Sequence, residues 1–101
     1  MKVEQFMNLN QFHLYGKENG IYKDILQSYN SKVVEIEHEQ TPGNINITLG
    51  CDWDYSTTTS KHVYAFLEEF ANMSFAGKSN KRAYIQKLID NGVIKYDESM
   101  C

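Results

Sequence analysis

Apolar and polar residues follow a helical period in the middle of the chain, at residues 53–70. The apolar residues recur at the i, i+3, i+4, i+7 spacing of one helix face: Val63, Phe66, Leu67 and Phe70. Five hydroxyl residues, 56–60, come directly before this stripe. A Ser or Thr oxygen can accept a hydrogen bond from an amide of the first helical turn. The pattern predicts a helix from about residue 56 to residue 72.

Four shorter segments before this helix are rich in β-favouring residues or alternate between apolar and polar positions. They cover residues 9–15, 21–29, 32–39 and 45–49. Asn19-Gly20 is the strongest of the turn signals between them, and residues 41–44 predict a further turn around Pro42. Residues 21–29 fit a helical turn almost as well as a strand, and the short flanking turns favour a strand.

A second helix is predicted over residues 80–91, with Ser79 as its N-cap, and a short strand or docked tail at residues 93–96. Consecutive strands with short links usually pair as an antiparallel meander, and the apolar face of such a sheet must be covered. We therefore expect one α+β domain over residues 1–101. Its three- or four-stranded antiparallel sheet, at about residues 9–50, is covered on one face by two helices, at about residues 56–72 and 80–91.

The composition limits the function classes. An apolar fraction of 42% with 13% aromatic residues is enough for a core without metals or disulfides. A net charge of −3 argues against a generally basic nucleic-acid binder and is too small for a mimic of DNA. Two cysteines are too few for a disulfide scaffold, so we expect reduced thiols and a cytoplasmic location. No stretch approaches the roughly 18 apolar residues of a membrane span, and the first residues are too polar for a signal peptide.

The start of the central helix has the equipment of an anion or phosphate site. Its backbone amides and positive dipole end favour a negative ligand. Thr58, Lys61 and His62 lie in its early turns. The alternative is ordinary capping and solvation of a helix start.

A second candidate site is the basic segment 77–89, which carries four basic residues and no acidic one. Lys81 and Arg82 fall in the first turn of the second predicted helix, where the macrodipole disfavours cations. Residues that are locally unfavourable for stability, with no compensating contact evident in the sequence, point to a functional site. We expect Lys78, Lys81 and Arg82 to contact phosphates, with Tyr84 as a stacking group. The alternative is a solvated helix face.

A row of carboxylates marks one side of the strand predicted at residues 32–39. Glu35, Glu37 and Glu39 share that side, and the apolar residues of the strand alternate with them. Such a row can dock onto a basic partner surface. Its alternative role is the solvated side or the protected edge of a sheet.

A hydrolase-like set of side chains surrounds the start of the central helix: Asp52, Asp54, Ser56 and His62. Ser56 and His62 would lie about 240° apart around a helix and would not face each other. The chain has no nucleophile elbow and no glycine-rich phosphate loop, and its histidines lack metal-ligand spacing. We therefore expect no enzymatic activity, no metal and no cofactor.

The central stretch also resembles a family. Residues 53–62 read W-D-Y-S-x-T-T-x-K-H, with N-Q-F at residues 10–12 and Q-S-Y-x-S at residues 27–31. This set is similar to a small, uncharacterised family of phage and mobile-element proteins, and the resemblance covers residues 9–70. It implies a mobile-element origin and a compact domain, and it implies no catalytic residues.

Three hypotheses for the function follow. The first is a non-enzymatic phage or mobile-element protein that binds and inhibits a host macromolecular machine, as anti-CRISPR and other anti-defence proteins do. Its partner would be a host protein or protein–nucleic-acid complex such as a defence nuclease, in the host cytoplasm. The carboxylate row or the basic segment would make the contacts. The second is a nucleic-acid-binding accessory protein that contacts phosphates through basic helix N-termini. The third is a structural module, monomeric or dimerising through a strand edge.

Overall fold

A computed structural model describes residues 1–7, 10–39 and 44–100 of the protein. Its elements, in chain order, are β1 (Lys2–Gln5), β2 (Gln11–Glu18), β3 (Ile21–Ser28), β4 (Ser31–His38), β5 (Ile45–Gly50), α1 (Thr57–Phe70), α2 (Lys81–Asp90) and β6 (Ile94–Asp97). The six strands form one sheet in the order β1-β2-β3-β4-β5-β6. Neither described helix is long and apolar enough to cross a membrane.

The predicted α+β class with two helices is confirmed, but the predicted sheet of three or four antiparallel strands is wrong. The sheet has six strands, and β6 lies parallel to β5. The prediction missed β1 because its four residues, KVEQ, are all exposed and show no apolar alternation. β6 is parallel because the chain passes through both helices before it returns to the sheet, the kind of crossover that joins parallel strands.

The β2–β3 and β3–β4 hairpins have two-residue turns, at residues 19–20 and 29–30. Asn19 and Gly20 both have positive φ, 53° and 83°, which matches the twist of a tight hairpin. The segment predicted at residues 21–29 is a strand, β3 (Ile21–Ser28), which pairs antiparallel with both β2 and β4. Tyr29, in the next turn, also has a positive φ of 54°. The turn predicted around Pro42 falls mainly on residues outside the described ranges.

Both helices cover the same face of the sheet. Strand register aligns the buried side chains of this inner face across the strands: Leu26, Val34, Leu49, Ile36, Ile47 and Ile94. These residues join one core with Val63, Phe66 and Leu67 of α1 and Ile85 of α2. The predicted stripe of α1 is therefore buried, and Phe70 packs against its edge.

The helix boundaries follow from side-chain caps. Ser56 is the N-cap of α1, and its Oγ accepts a hydrogen bond from the Thr59 amide at 3.1 Å. Asn80 is the N-cap of α2, and its Oδ1 accepts from the Ala83 amide at 3.0 Å. The prediction that Ser79 caps α2 is wrong by one residue, since Asn80 adopts the extended conformation of a cap.

Cys51, directly after β5, takes part in a disulfide. The prediction that both cysteines are reduced thiols is therefore wrong. The other cysteine of the chain, Cys101, lies outside the described ranges. Disulfides are typical of oxidising compartments, and the cytoplasmic location stays a prediction.

The end of the chain passes close to Gly50, and this contact predicts the cost of a larger residue there. A Cβ at Gly50 would collide with the Met100 carbonyl oxygen and lie 2.5 Å from that of Lys32. Backbone oxygens cannot rotate away, so we expect Gly50→Ala to lower the free energy of unfolding by about 1–3 kcal/mol, as overpacking does. Urea denaturation followed by tryptophan fluorescence measures this.

Gly77→Ala is the control for this substitution. It adds the same methyl group where no atom lies within 4 Å, at a φ of +75°. Its cost is the left-handed backbone alone, roughly 1 kcal/mol. A loss at Gly50 no larger than that at Gly77 would show that the C-terminal residues do not press on β5.

Candidate anion-binding groove and adjoining cavity

The starts of α1 and α2 line one groove. The groove has a volume of about 550 Å³. Its lining residues are Asp54, Tyr55, Ser56, Thr57, Ser60, Lys61, Tyr64, Lys81 and Arg82. Neither helix has an acidic residue in its first turn, so two positive dipole ends meet here without a compensating carboxylate inside the helices. Sequence reasoning left open whether the two basic helix starts are adjacent, and the structure brings them together.

Three cations line this groove in different ways. The guanidinium of Arg82 donates to Asp54 Oδ2 from Nε at 3.0 Å and from Nη2 at 2.6 Å. Lys81 Nζ lies 5.6 Å from the ring centroid of Tyr64. Lys61 and Lys81 form no salt bridge with any residue in the described ranges. Two of the three charges are therefore not neutralised within the fold.

The Arg82–Asp54 pair holds the two helix starts together. Asp54 lies in the segment before α1, and Arg82 lies in the first turn of α2. The side chain of Arg82 is 68% exposed, so solvent screens the attraction and the pair contributes about 0–1 kcal/mol to stability. Its main effect is positional, because it joins segments 28 residues apart in sequence.

A separate cavity of about 470 Å³ adjoins the groove. It lies between the first turn of α1, the β3–β4 hairpin, the start of β2 and the segment after β5. Its lining residues are Gln11, Ser28, Tyr29, Ser31, Val33, Asp52, Tyr55, Ser56, Thr58, Thr59 and His62. Tyr55 and Ser56 line both the groove and the cavity. No lysine or arginine is among the described residues that line the cavity.

Buried polar groups in the cavity wall are only partly satisfied. Gln11 is 4% exposed, and its Nε2 donates to Ser28 Oγ at 2.9 Å. Its Oε1 is buried and accepts no hydrogen bond from any residue that the structure describes. Ser31 Oγ donates to Asp52 Oδ2 at 3.2 Å. The cavity wall thus contains a carboxylate and an amide oxygen that accepts no bond.

His62 belongs to the cavity and not to the groove. Its side chain is buried, and burial lowers the pKa of the imidazole. Lys61 and His62 are consecutive on α1 and therefore about 100° apart around its axis, so Lys61 faces the groove and His62 the cavity. His62 is neutral at neutral pH and supplies no positive charge to an anion. Its position four residues before Phe66 was the sequence signal for its burial.

The other residues predicted to contact an anion are also divided between the cavity, the groove and neither site. Thr58 lines the cavity, while Lys81 and Arg82 line the groove. Lys78 and Tyr84 are among the residues of neither. Lys78 Nζ lies 4.4 Å from the ring centroid of Tyr84, beside the end of the core. Gln11, Ser28 and Ser31 belong to the two upstream segments of the family resemblance, N-Q-F and Q-S-Y-x-S. Sequence reasoning assigned them to no site, because only the pairing of β2, β3 and β4 brings them to the start of α1.

The hydrolase-like set of side chains named from the sequence is split between the cavity and the groove. Asp52, Ser56 and His62 all line the cavity, and Asp54 lines the groove. Ser56 and His62 line the same cavity, and Ser56 is an extended N-cap and not a helical residue. That the two side chains do not face each other stays a prediction. Ser56 Oγ is occupied by the Thr59 amide.

The predicted row of carboxylates lies largely on the sheet face that the helices leave uncovered. Glu35 Oε1 lies 3.6 Å from Lys23 Nζ and 3.8 Å from Lys32 Nζ. Burial lowers the pKa of Lys23, but the carboxylates of Glu35, Glu18 and Glu37 raise it by more, and the net pKa is raised. The charge of Glu35 is thus balanced by two lysines of the same face.

The last carboxylate of the row has a neutral partner. Glu39 Oε1 accepts a hydrogen bond from Asn46 Nδ2 at 2.9 Å. These contacts are typical of the solvated face of a sheet, the alternative role for the row. Partner binding through Glu35, Glu37 and Glu39 stays a prediction.

Two histidines share a buried carboxylate beneath α1. His13 Nε2 lies 2.6 Å from Asp24 Oδ1, and His38 Nε2 lies 2.7 Å from Asp24 Oδ2. The His13 ring also packs 4.1 Å from the ring centroid of Phe70. Within the described ranges, no group of three or more His, Cys, Asp or Glu side chains is arranged to hold a metal ion. This cluster therefore satisfies polar groups within the core.

A family model matches residues 1–91, which is most of the chain. The chain belongs to the DUF8033 family. Its description is a family of unknown function, which confirms the predicted membership of an uncharacterised family. The match extends beyond the resemblance seen at residues 9–70 and includes α2, so both sides of the groove lie within the DUF8033 domain. Neither a curated protein nor a solved structure matches the chain.

The buried carboxylate of this DUF8033 domain predicts a stability difference. Asp24→Ala leaves the imidazoles of His13 and His38 without their acceptor, and we expect a loss of about 1–3 kcal/mol in the free energy of unfolding. Glu37→Ala on the uncovered face is the control, with an expected change within about 0.5 kcal/mol. Equal losses in urea denaturation would contradict a structural role for Asp24.

The lowered pKa of His62 predicts a pH dependence. The unfolded state binds a proton at His62 near the usual pKa of about 6.5, while the folded state binds it only at lower pH. Stability should therefore fall as pH drops below about 6.5 and level off below the folded-state pKa. We expect His62→Gln to show a shallower decline between about pH 7.5 and 5 in urea denaturation. Because His13 and His38 are present in both proteins, parallel curves would contradict the burial of a neutral His62.

Proposed function

We propose that this protein binds phosphate-bearing polyanions, chiefly single-stranded nucleic acid, in the groove between the starts of α1 and α2. The convergence of two helix N-termini with Lys61, Lys81 and Arg82 on one groove carries this proposal. Helix N-termini favour anions through their amides and their dipole. The groove combines this with mobile cations, two of which have no carboxylate partner in the described ranges.

Aromatic residues beside the cations favour a single strand over a duplex. Tyr55 is 80% exposed and lines the groove, and Tyr64 contributes a second ring. Unpaired bases stack on such rings without sequence preference, at about 1–3 kcal/mol per base. A duplex keeps its bases stacked on each other and cannot use these rings.

The acidic net charge makes binding local, with a shallow dependence on salt. The protein carries a charge of −3, so its overall field does not attract a polyanion. At 0.1 M salt the Debye length is about 10 Å, so the cations of the groove act mainly on phosphates that already lie close to them. We therefore expect moderate affinity at low salt and a shallow salt slope.

A charge reversal in the groove tests the proposal. We expect a fluorescein-labelled single-stranded oligonucleotide to bind with a log–log salt slope near −2, about 0.7 for each of three phosphate contacts. Lys81→Glu should lower the affinity about tenfold and bring the slope closer to zero by about 1. Fluorescence anisotropy at several salt concentrations measures both.

Lys95→Glu is the matched control. It makes the same charge change at an exposed position of β6, in the strand row of Thr48 on the uncovered face. We expect it to change the affinity less than threefold. No binding at low salt, or equal losses in the two variants, would contradict the groove as the binding site.

Inhibition of a host macromolecular machine by a phage or mobile-element protein is a second candidate. The uncovered sheet face favours it, because Val3, Leu14 and Ile25 form an apolar row there beside Glu35. Ile25 is buried, and the row is exposed at its Val3 end. Val3 is 57% exposed. An inhibitor of a protein partner would form a stoichiometric complex with a host protein, such as a defence nuclease, and would bind free oligonucleotides weakly. Size-exclusion chromatography of a complex captured from the host distinguishes this candidate from the first.

A further inference from the structure

The cavity beside the groove is not used by the proposed function, yet its wall is incompletely satisfied. Gln11 lines the cavity, is 4% exposed, and has a buried Oε1 that accepts no hydrogen bond within the described ranges. A buried acceptor without a donor is unfavourable and uncommon in folded proteins. This oxygen is closed to solvent, so a ligand N–H group would supply the missing bond after the Gln11 side chain rotates toward the cavity.

We infer that the cavity receives the amino-bearing base of a nucleotide whose phosphate lies in the adjoining groove. This inference rests on the proposed function, because the groove supplies the phosphate contacts. The groove and the cavity adjoin at Tyr55 and Ser56, which line both. One ligand with a charged end and an uncharged polar ring can therefore occupy both.

The positions of the charged residues indicate which end of such a ligand lies in the groove and which in the cavity. All three cations line the groove, and the described residues of the cavity include no lysine or arginine. His62 is neutral at neutral pH because burial lowers its pKa. A second phosphate would therefore find no counter-charge in the cavity, whereas an uncharged ring would avoid that cost.

The hydrogen-bonding groups of the cavity favour a base that donates. Asp52 supplies carboxylate oxygens, and Gln11 supplies the amide oxygen. Ser28, Thr58 and other hydroxyl residues can donate or accept. Guanine, adenine and cytosine present an exocyclic amino group with two N–H donors to such acceptors, whereas on its Watson–Crick edge uracil has only its single ring N3–H.

The size and the aromatic residues of the cavity fit a base. Its volume of about 470 Å³ lies within the range of small-molecule sites, about 300–1,000 Å³. Tyr29 and Tyr55 both line it and are 64% and 80% exposed. Exposed rings at a polar cavity are the arrangement on which unpaired bases stack.

Isothermal titration calorimetry with GMP, AMP, CMP, UMP and ribose 5-phosphate tests the inference. Ribose 5-phosphate carries the phosphate and sugar without a base. We expect at least one of the three amino-bearing nucleotides to bind at least tenfold more tightly than ribose 5-phosphate, and UMP to bind more weakly than that nucleotide. UMP binding as tight as the best of the others would overturn the role of the amino group.

Tyr29→Asn is the variant that isolates the cavity. Tyr29 has a φ of 54°, a conformation that asparagine tolerates better than tyrosine, so the variant should fold. We expect it to weaken binding of the preferred nucleotide at least fivefold and to leave ribose 5-phosphate binding unchanged. Gln11→Leu should have the same selectivity, and Lys81→Glu should weaken both ligands.

Failure of the inference differs from failure of the proposed function. If all four nucleotides bind no more tightly than ribose 5-phosphate, and Lys81→Glu weakens all of them, the cavity holds no base and the groove stands. If neither nucleotides nor ribose 5-phosphate bind, and oligonucleotides also fail to bind, both are overturned.

Discussion

The packing of the α1 stripe onto the inner face of the sheet determines where the candidate site residues of α1 lie. Val63, Phe66 and Leu67 are fully buried there, and each contributes about 1.5–3 kcal/mol through burial. This contact fixes the rotation of α1 about its axis. Because consecutive helical residues differ by about 100°, the same rotation sends Lys61 to the groove and His62 to the cavity. Lys61 and His62 are adjacent in sequence but therefore lie in two different environments.

Several charges in this domain are balanced by neighbouring groups of opposite charge. Glu35 is compensated by Lys23 and Lys32 on the uncovered face, and Asp24 holds two histidines beneath α1. The net charge of −3 belongs to the whole chain and does not indicate the charge of any one surface. The groove keeps two lysines without a carboxylate partner in the described ranges. Whole-chain composition cannot show such a site, since it averages over faces that point in opposite directions.

Sequence reasoning predicted what depends on local periodicity. The stripe of α1, a hydroxyl cap at its start, the Asn19-Gly20 turn and the alternation of β4 and β5 all follow from neighbouring residues. It missed β1 because a short polar edge strand has no apolar pattern, and it missed the mixed sheet because the partner of β6 is set by the path through two helices. The cavity could not be predicted from local patterns, because only strand pairing brings Gln11 and Asp52 to the same site. Lys81 and Arg82 were singled out by a local conflict, cations in a first helical turn, and their functional use stays a proposal.

The central claim is that ligand phosphates contact the protein where α1 and α2 begin. The most direct test is a ¹H–¹⁵N correlation spectrum recorded during titration with a short single-stranded oligonucleotide. We expect the largest shifts at the amides of Thr57, Lys61, Lys81 and Arg82, with saturation at one site per chain. Shifts confined to residues of the uncovered face, such as Leu14 and Glu35, or no shifts at low salt, would contradict the claim.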